Sequence, residues 1–368
     1  MVGTQAGAAQ ASSQPLAGAR LALVQSRTIN IAFAALLVQS CRHLPPQPSN
    51  APDTTSHSFI WQIDTLGVFQ SSLADVWGTS MTNVYAVGRI ARTDSIDYNI
   101  AHFNGQTWSP FYIFYGTPPA RGAPSLRGIL GFSATDIWAV GTGSVVAHWN
   151  GSQWTMVSLG TCDDVACLGI TNGEQLNAVW GTSSSDLFAV GETGLIVHYD
   201  GQTWTKMNSG TSLTFYDVWG SSSTNVFATA MDYMLGEWLV LRYRGSSWEP
   251  DSVDSKQINR PGGIWGTAAD NVYLASDFVG HFDGKTWKRE TTPNVLYNMG
   301  GVEGSAPNNI FVVGSFGVVL HWNGSTWYQY DQLLQPAGGR KLERIWTNGD
   351  EVLIIGSTGS QAVVIHGR

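Results

Sequence analysis

The sequence predicts an all-β fold in which one four-stranded unit is repeated seven times. The first observation is a short apolar motif of the type Val-Trp-Gly, which occurs seven times at intervals of 38 to 53 residues. The second is an Asn-Gly or Asp-Gly pair between two apolar runs, a strong hairpin signal because the tight turn needs positive φ. The third is a strand-like segment around Trp61 that precedes the first copy. Together they predict a seven-bladed β-propeller with four antiparallel strands per blade.

Residues 175–204 show how the four strands of one unit follow from the residues. Their sequence is QLNAVWGTSSSDLFAVGETGLIVHYDGQTW. It contains three apolar or alternating runs, separated by a Ser-rich turn and a Gly-containing turn, and such runs are typical of strands. The pair Asp200-Gly201 joins the third run to a fourth that begins at the closing Trp204. The unit is therefore a meander of four antiparallel strands.

The first strand of the unit occurs in seven copies. Their central positions are Trp77, Leu130, Trp180, Trp219, Trp265, Glu303 and Trp346. The seventh copy ends at Arg368 without a closing Trp strand, whereas the segment around Trp61 belongs to no unit of its own. We therefore expect the N-terminal strand to complete the last blade, because closing the ring removes an exposed sheet edge.

Residues that recur in every blade are predicted to be structural, because a catalytic residue is needed at one place only. Six of the eight histidines occupy one repeat position, which holds Arg242 in the fourth copy. These histidines are His102, His148, His198, His281, His321 and His366. The hairpin Asn and Asp residues fix turns, and the Trp residues that end the repeats bury a large area between blades. All of them are assigned structural roles.

The composition agrees with an all-β protein and argues against a nucleic-acid partner. Charged residues are 12% of the chain, and there are 42 Gly and 16 Trp residues. Few charges with many glycines and aromatics fit dense turns between strands. The formal net charge of −8 is opposite in sign to the basic face that nucleic-acid binding requires.

The repeat can be written VWG…[ND]hhaVG…H[FWY][ND]GxxW, and with it residues 58–368 resemble a bacterial β-propeller family. That family is distantly similar to the Asp-box propellers of sialidases and to propellers like the photosystem II assembly factor. An Asp-box has one residue between its Asp and Gly, whereas Asp200-Gly201 and Asp283-Gly284 are adjacent here. The resemblance therefore implies the architecture and no sialidase chemistry.

The N-terminal region predicts export. Residues 1–41 end in a signal peptide: Arg27 precedes about ten apolar residues, which are too few to span a membrane. The last four residues, Val38-Gln39-Ser40-Cys41, resemble the lipobox of bacterial lipoproteins, which implies a lipid on Cys41 and a place in the cell envelope, at the outer membrane on its periplasmic or surface face. The alternative is an ordinary cleaved signal and a secreted protein. Residues 42–57, rich in Pro and Ser, are expected to form a semi-rigid tether.

Two further cysteines, Cys162 and Cys167, flank the sequence DDVA in a long connection. An oxidising compartment favours a disulfide between them. Free thiols and a metal site are the alternatives, but two cysteines without nearby histidines or a second pair are a weak zinc signature. We therefore expect a disulfide and no metal.

The variable loops are the predicted binding surface. The turns between strands 1 and 2 and between strands 3 and 4 are nearly alike in all copies, whereas the turns between strands 2 and 3 and the connections between blades differ and emerge on the opposite face. Loops that a rigid scaffold displays commonly bind ligands. Aromatic side chains there could stack on sugars or anchor a protein, and arginines could bind a carboxylate. The candidate ligand-binding residues are Arg89, Arg92, Phe111, Tyr112, Tyr115, Arg121, Arg127, Tyr233, Trp238, Tyr297 and Glu303.

We therefore expect a lipid-anchored, monomeric propeller that binds a protein or a glycan without catalysis and without a cofactor. The chain has no EF-hand loop, HExxH, GxSxG or P-loop motif. The alternative is a glycan-cleaving propeller, a hydrolase or a lyase, with its site at the central channel. It predicts that acids such as Asp94 and Glu303 lie around one pocket with Arg89, Arg121 or Arg127.

Overall fold

The computed structural model describes residues 54–93, 97–114, 124–160, 168, 170, 174–253, 258–293, 298–335 and 339–368. The compact unit that contains them is Pro45–Arg368. Its 28 strands form seven separate four-stranded sheets. The seven-bladed β-propeller is thus confirmed.

Blades 1 to 4 follow one another along the chain. Blade 1 consists of β2 (Ser72–Ser80), β3 (Asn83–Ile90), β4 (Tyr98–Phe103) and β5 (Trp108–Phe111). Blade 2 consists of β6 (Leu126–Ser133), β7 (Asp136–Gly141), β8 (Val145–Trp149) and β9 (Trp154–Ser158). Blade 3 consists of β10 (Leu176–Ser183), β11 (Asp186–Gly191), β12 (Ile196–Tyr199) and β13 (Trp204–Met207). Blade 4 consists of β14 (Thr214–Ser222), β15 (Asn225–Asp232), β16 (Glu237–Tyr243) and β17 (Trp248–Pro250).

Blades 5 and 6 repeat this order, and blade 7 does not. Blade 5 consists of β18 (Ile264–Ala268), β19 (Asn271–Ala275), β20 (Val279–Phe282) and β21 (Trp287–Arg289). Blade 6 consists of β22 (Met299–Ala306), β23 (Asn309–Gly314), β24 (Val319–Trp322) and β25 (Trp327–Gln329). Blade 7 consists of β26 (Lys341–Thr347), β27 (Val352–Ser357), β28 (Ala362–Gly367) and the N-terminal β1 (Trp61–Leu66). Single 3-10 turns occur at Glu192–Gly194 and Asp331–Leu333.

The N-terminal strand closes the ring as the sequence predicts. The strand order of blade 7 is β1-β28-β27-β26, and β1 runs antiparallel to β28 from Trp61 opposite Gly367 to Leu66 opposite Ala362. The two backbones continue the pairing one residue further, where Ile60 and Arg368 exchange hydrogen bonds of 2.8 and 3.1 Å. The first and last strands of the propeller are therefore neighbours in one sheet.

The segment before β1 is fixed to the outer strands of blade 6. The Thr55 backbone N–H donates to the carbonyl of Asn323 at 3.1 Å. His57 stacks on Tyr328, with ring centroids 5.1 Å apart, and its Nδ1 lies 2.9 Å from Nδ1 of His321. Because Nε2 of His321 donates to Asn309 at 2.8 Å, its Nδ1 accepts the proton of His57. Burial lowers the pKa of His321 to about 3, in agreement with a neutral ring.

One hydrogen bond recurs in all seven blades and explains the repeated histidines. The His of strand 3 donates from Nε2 to an Asn, Asp or Glu side chain at the start of strand 2, at 2.7 to 3.1 Å. The acceptor is the first residue of strand 2 in five blades, and in blade 7 it is Glu351, directly before β27. The pairs are His102–Asn83, His148–Asp136, His198–Asp186, His281–Asn271, His321–Asn309 and His366–Glu351, with Arg242–Asn225 in blade 4. In blades 1 to 6 the same side chain also lies 4.0 to 4.5 Å from an aromatic ring of strand 2. The predicted structural role is confirmed.

The core lies between neighbouring blades, and the innermost strands contact one another around the whole ring. At five positions a Trp of one innermost strand lies against a Gly of the next. The pairs are Trp77–Gly131, Trp180–Gly220, Trp219–Gly266, Trp265–Gly304 and Trp346–Gly78. Where the Trp is replaced by Glu303, the receiving repeat position in the next blade holds Thr347 instead of Gly. Glu303 is thus smaller than the Trp of most other blades, and Thr347 opposite it is larger than the usual Gly.

This packing predicts the effect of adding one methyl group at Gly131. A Cβ there would lie 2.3 Å from a ring carbon of Trp77, so we expect Gly131→Ala to lower the free energy of unfolding by about 1–3 kcal/mol, the usual cost of overpacking. Urea denaturation followed by Trp fluorescence measures it. Gly300→Ala is the matched control, because its Cβ would meet only the Leu342 carbonyl, at 3.9 Å. Equal stability of the two variants would contradict the Trp-on-Gly contact.

Candidate functional site

The repeat-turn face consists of the turns between strands 1 and 2 and the hairpins between strands 3 and 4. In five of those hairpins one Asn or Asp side chain accepts two backbone N–H groups of the same turn, at 2.8 to 3.0 Å. These residues are Asn104, Asn150, Asp200, Asp283 and Asn323, and the Gly after each has a φ between +86° and +93°. Turn formation therefore occupies the polar groups that recur on this face.

The variable face consists of the turns between strands 2 and 3 and the connections between blades. The residues just before β1 contact the repeat-turn face instead. Thr55 donates hydrogen bonds to the carbonyls of Asn323 and Asn308, which lie in turns of that face. β1 then runs across the edge of the ring and ends at the variable face, beside the start of β28. The variable face is thus at the far side of the propeller from the N-terminal segment.

Blade 1 holds a cleft of about 360 Å³ at the variable face, where β1 ends. It is lined by Gly67, Val68, Ile90, Ala91, Arg92, Thr93, Tyr98 and Pro110. Arg92 donates to the Tyr98 hydroxyl at 2.6 Å and lies 4.7 Å from that ring centroid. Tyr98 stacks on Tyr112 at 5.6 Å. An aromatic wall with a polar end is suited to a large side chain or a flat ligand.

Arg89 and Arg92 both lie next to Asp97, whose carboxylate accepts the backbone N–H of Arg92 at 3.2 Å. Arg89 donates from Nε to Asp97 at 2.6 Å, and this bond is the main reason that the pKa of Asp97 is lowered. Arg92 is bonded to Tyr98, and Arg127 is exposed on the innermost strand of blade 2. Two of the three therefore already have partners of their own. Arg121 lies outside the described residues, as do Tyr115, Tyr297, Cys41, Cys162, Cys167 and Asp94.

The hairpin between β15 and β16 presents an apolar tip on the variable face. Tyr233, Met234 and Leu235 are 56%, 93% and 70% exposed. The Asp232 carboxylate accepts the backbone N–H groups of Met234 and Leu235 at 2.8 and 3.1 Å, so the turn is ordered despite its exposure. The tip approaches the channel, because Tyr233 packs edge-on against Tyr216 of the innermost strand at 5.7 Å.

The other predicted aromatic residues lie in strands. Phe111 is the last residue of β5 and pairs with Ile100. Trp238 belongs to β16 and pairs with Met231 at the base of the apolar tip. Both side chains are half-buried. Sequence reasoning therefore found the neighbourhood of the tip through Tyr233 and Trp238, but not its two most exposed residues, Met234 and Leu235.

Two aspartates of the central channel join innermost strands of neighbouring blades. Asp75 accepts from the backbone N–H of Val76 at 2.9 Å and from that of Ile129 in blade 2 at 2.8 Å. Asp217 repeats this arrangement in blade 4, where Ile264 of blade 5 is the second donor, at 2.9 Å. Each carboxylate therefore connects two blades and still faces the channel.

Arg344 spans the channel from blade 7 to the opposite wall. Its guanidinium donates to the carbonyl of Tyr216 in blade 4 at 3.1 Å and to that of Gly300 in blade 6 at 3.2 Å. Nη2 also lies 3.7 Å from Oδ1 of Asp217, in an ion pair whose side chains are 19% and 15% exposed. The Arg344 side chain thus connects blade 7 to the neighbouring blade 6 and to blade 4 on the far side of the channel.

Charge balance in the channel changes the pKa of each group. Burial raises the pKa of Asp75 to about 7 against the opposing effect of Arg344, and burial also raises the pKa of Asp217. Burial raises the pKa of Glu303 well above its usual value, and the charges of Asp75 and Asp217 add to that shift. Burial alone would lower the pKa of Arg344, but attraction to Asp217, Asp75, Glu343 and Glu303 outweighs it and the pKa is raised. Three acids thus share one cation.

Glu303 is the one predicted residue of this cluster. Sequence reasoning missed the others, although a signal existed: the residue before the apolar position of each first strand is small in four copies but Asp75, Asp217 and Arg344 in three. The electrostatic neighbours of Glu303 are Asp75, Asp217 and Arg344, and not Arg89 or Arg127. The glycan-cleaving alternative stays a prediction.

In the described ranges, no three His, Cys, Asp or Glu side chains are grouped closely enough to hold a metal ion. The helices of that part of the chain include none that is long and apolar enough to cross a membrane.

Comparison with known proteins identifies the fold. No protein family matches this chain, and no protein of curated function is significantly similar to it in sequence. Solved propellers are similar in structure. YCF48 bound to D1 peptide has a TM-score of 0.61 and 15% identity over 83% of this chain and 96% of that one. The WD40 propeller domain of Doa1 has a TM-score of 0.60 and 10% identity over 84% and 97%.

A third similar structure is an enzyme. A catalytically inactive virginiamycin B lyase from Staphylococcus aureus with quinupristin has a TM-score of 0.61 and 9% identity over 84% of this chain and 99% of that one. At identities of 9% to 15% these likenesses show the propeller fold alone.

The raised pKa of Asp75 predicts a pH-dependent loss of stability. The pKa of Asp75 in the folded protein, about 7, is higher than the ordinary value of 3.8, so the folded state favours the protonated carboxyl. This contribution to stability is complete below pH 3.8 and is lost as the pH rises through 7. Asn cannot ionise. We therefore expect the stability of the wild type relative to Asp75→Asn to fall between pH 4 and pH 8 by up to roughly 4 kcal/mol, since each pKa unit corresponds to about 1.4 kcal/mol.

Urea denaturation of both proteins across this pH range measures the difference, in which the contributions of the histidines cancel. Val157→Ser is the control, because Val157 is 54% exposed on β9 and has no ionisable group, so its stability difference from the wild type should be the same at every pH. A constant difference between wild type and Asp75→Asn at all pH values would contradict the raised pKa.

Proposed function

We propose that this chain is an exported, lipid-anchored β-propeller that binds a protein partner through its variable face, as a non-catalytic recognition or assembly module. One observation is its main support. Among the residues that the structure describes, six of the ten exposed large apolar ones are on variable-face loops. They are Val68, Phe69, Tyr112, Tyr233, Met234 and Leu235. Three of them lie beside blade 1 and three on the hairpin of blade 4, and exposed apolar side chains in clusters are typical of protein contacts.

The similar structures are consistent with this proposal. One of them is described as bound to a peptide, and another is a WD40 propeller. The ordered turn below the apolar tip is also favourable, because a preorganised loop loses little conformational entropy on binding. A glycan ligand is the second possibility within the same proposal, since Tyr98, Tyr112 and Tyr233 could stack on sugar rings.

The apolar tip provides the test of partner binding. We expect Met234→Ser combined with Leu235→Ser to weaken capture of the partner at least tenfold, because two side chains that are 93% and 70% exposed lose their contact area while Asp232 and Gly236 still form the turn. Immobilised full chain is incubated with envelope extract, and bound proteins are quantified by mass spectrometry. A panel of envelope glycans is the second probe.

Val157→Ser is the matched control, because Val157 is 54% exposed on β9 rather than on the variable face. Partners retained equally by wild type and by both variants would place recognition elsewhere. Capture of glycans only, and lost with the tip, would replace the protein partner by a carbohydrate.

The lipid anchor is part of the proposal, and its support comes from the sequence. Arg27, the apolar run after it and Val38-Gln39-Ser40-Cys41 have the form of a lipoprotein signal. A tether of residues 42–57 would lead from Cys41 to the repeat-turn face, where Thr55 is bound. The variable face would then be free to meet a partner in the envelope.

Replacement of Cys41 tests the anchor. Expressed in a bacterium, the wild type should sediment with membranes and have a mature N-terminus at a lipid-modified Cys41, as read by mass spectrometry. Cys41→Ser should move most of the protein to the soluble fraction, because the site of lipidation is lost. Cys162→Ser should leave the wild-type distribution unchanged. A wild-type N-terminus at another residue would contradict the proposal.

A further inference from the structure

The outer edge of β1 is unusual among the outer strands of the seven blades. It has six residues, whereas the outer strands β5, β9, β13, β17, β21 and β25 have three to five. Its four central residues are all exposed. A long exposed edge offers a row of backbone groups to another strand, and proteins usually shorten or interrupt such edges.

The register shows which backbone groups of β1 are free. Ile60 and Arg368 exchange hydrogen bonds, and in an antiparallel ladder such pairs alternate with pairs that exchange none. The N–H and C=O groups of Trp61, Ile63 and Thr65 therefore point away from β28. No strand of the described sheet lies on that side, because β1 is the end of the strand order.

Other outer strands contain residues that hinder strand addition. β5 contains Pro110, β17 ends in Pro250, and β13 and β21 contain Lys206 and Lys288. Proline removes a donor and lysine introduces charge at an edge. β25 has only three residues. β1 contains neither Lys nor Pro. Among the other outer strands with more than three residues, only β9, which has five, also lacks both residue types.

Apolar surface continues from this edge to the blade 1 cleft. Ile60 and Ile63 are 81% and 43% exposed, and Phe69, just beyond the end of β1, is 67% exposed. Gly67 and Val68, which follow Leu66 directly, form part of the lining of the 360 Å³ cleft. A segment that pairs with β1 towards the variable face would therefore reach the cleft with its next residues.

We infer that the free edge of β1 accepts an extended segment of the partner protein as a fifth strand of blade 7, and that the blade 1 cleft takes a large apolar side chain of that segment. This inference rests on the proposed function and names the contact that it uses. Backbone pairing supplies affinity and the pocket supplies specificity, as in other cases of strand addition.

Charge selects the kind of segment. Asp64 is exposed on β1, and the chain has a formal net charge of −8. A segment with basic residues among its apolar ones is thus favoured over an acidic one. A second copy of this chain is disfavoured for the same reason, since two chains of equal charge would meet at Asp64 of each.

The test is a selection of random peptides displayed on phage against the full chain, followed by binding measurements with synthetic peptides. We expect enrichment of extended peptides that contain basic residues and one large apolar residue. Ile63→Pro should weaken their binding at least tenfold, because it removes an outward N–H without affecting the bonds between β1 and β28. N-methylation of alternate peptide amides should have a similar effect.

Met156→Pro is the matched control. Leu159 donates to Ser144 at 3.0 Å, so the same alternation makes the N–H of Met156 point outward from β9. Peptide binding should survive in this variant, and thermal melts show that both variants are folded. Peptides that bind Ile63→Pro normally but lose binding with the apolar-tip variant would overturn this inference and leave the proposed function standing. Absence of any enriched peptide would overturn this inference, whereas the proposed function is decided by capture from envelope extract. Dimerisation of the chain through β1 would overturn the choice of partner.

Discussion

The pairing of β1 with β28 is the contact on which the rest of the propeller depends. It joins the two ends of the described chain in one sheet, and without it the fully buried β28 would become an outer strand. The cores on both sides of blade 7 also use this segment: Phe59 and Trp61 pack towards blade 6, and Leu66 packs towards blade 1. Because the ring is closed, each innermost strand contacts the innermost strands of both neighbouring blades. The packing of Trp against Gly can therefore continue from blade 7 to blade 1.

Repetition and its exceptions separate structure from candidate function. The His–Asn or His–Asp bond and the Asn or Asp of the hairpins occur in nearly every blade, and they fix strands and turns. The exceptions are concentrated in the channel, where Asp75, Asp217, Glu303 and Arg344 replace small or aromatic residues. Their positions on four different blades allow one guanidinium to neutralise several carboxylates, an arrangement that identical blades could not provide.

The two faces and the edge of the ring have different surfaces for physical reasons. On the repeat-turn face, the recurring Asn and Asp side chains form hydrogen bonds within their own turns. The residues just before β1 also contact this face, through Thr55. The variable face keeps exposed apolar residues on loops that the blades hold in place. β1 extends between the two faces with a free backbone edge, so a partner could contact the variable loops and this edge together.

The sequence by itself determined the number of blades, the strands, the hairpin turns and the closing strand, because alternation of apolar residues and Asn-Gly or Asp-Gly turns are local properties. It also indicated the variable face and Glu303. Arg89 and Arg92 were predicted to bind a ligand, which stays a prediction, and in the fold they contact Asp97 and Tyr98. Only the tertiary structure placed Arg344 against Tyr216, 128 residues away, and left the edge of β1 open. Such contacts depend on which blades lie opposite one another in the closed ring. A local sequence pattern does not contain this information, because the residues concerned are far apart in the chain.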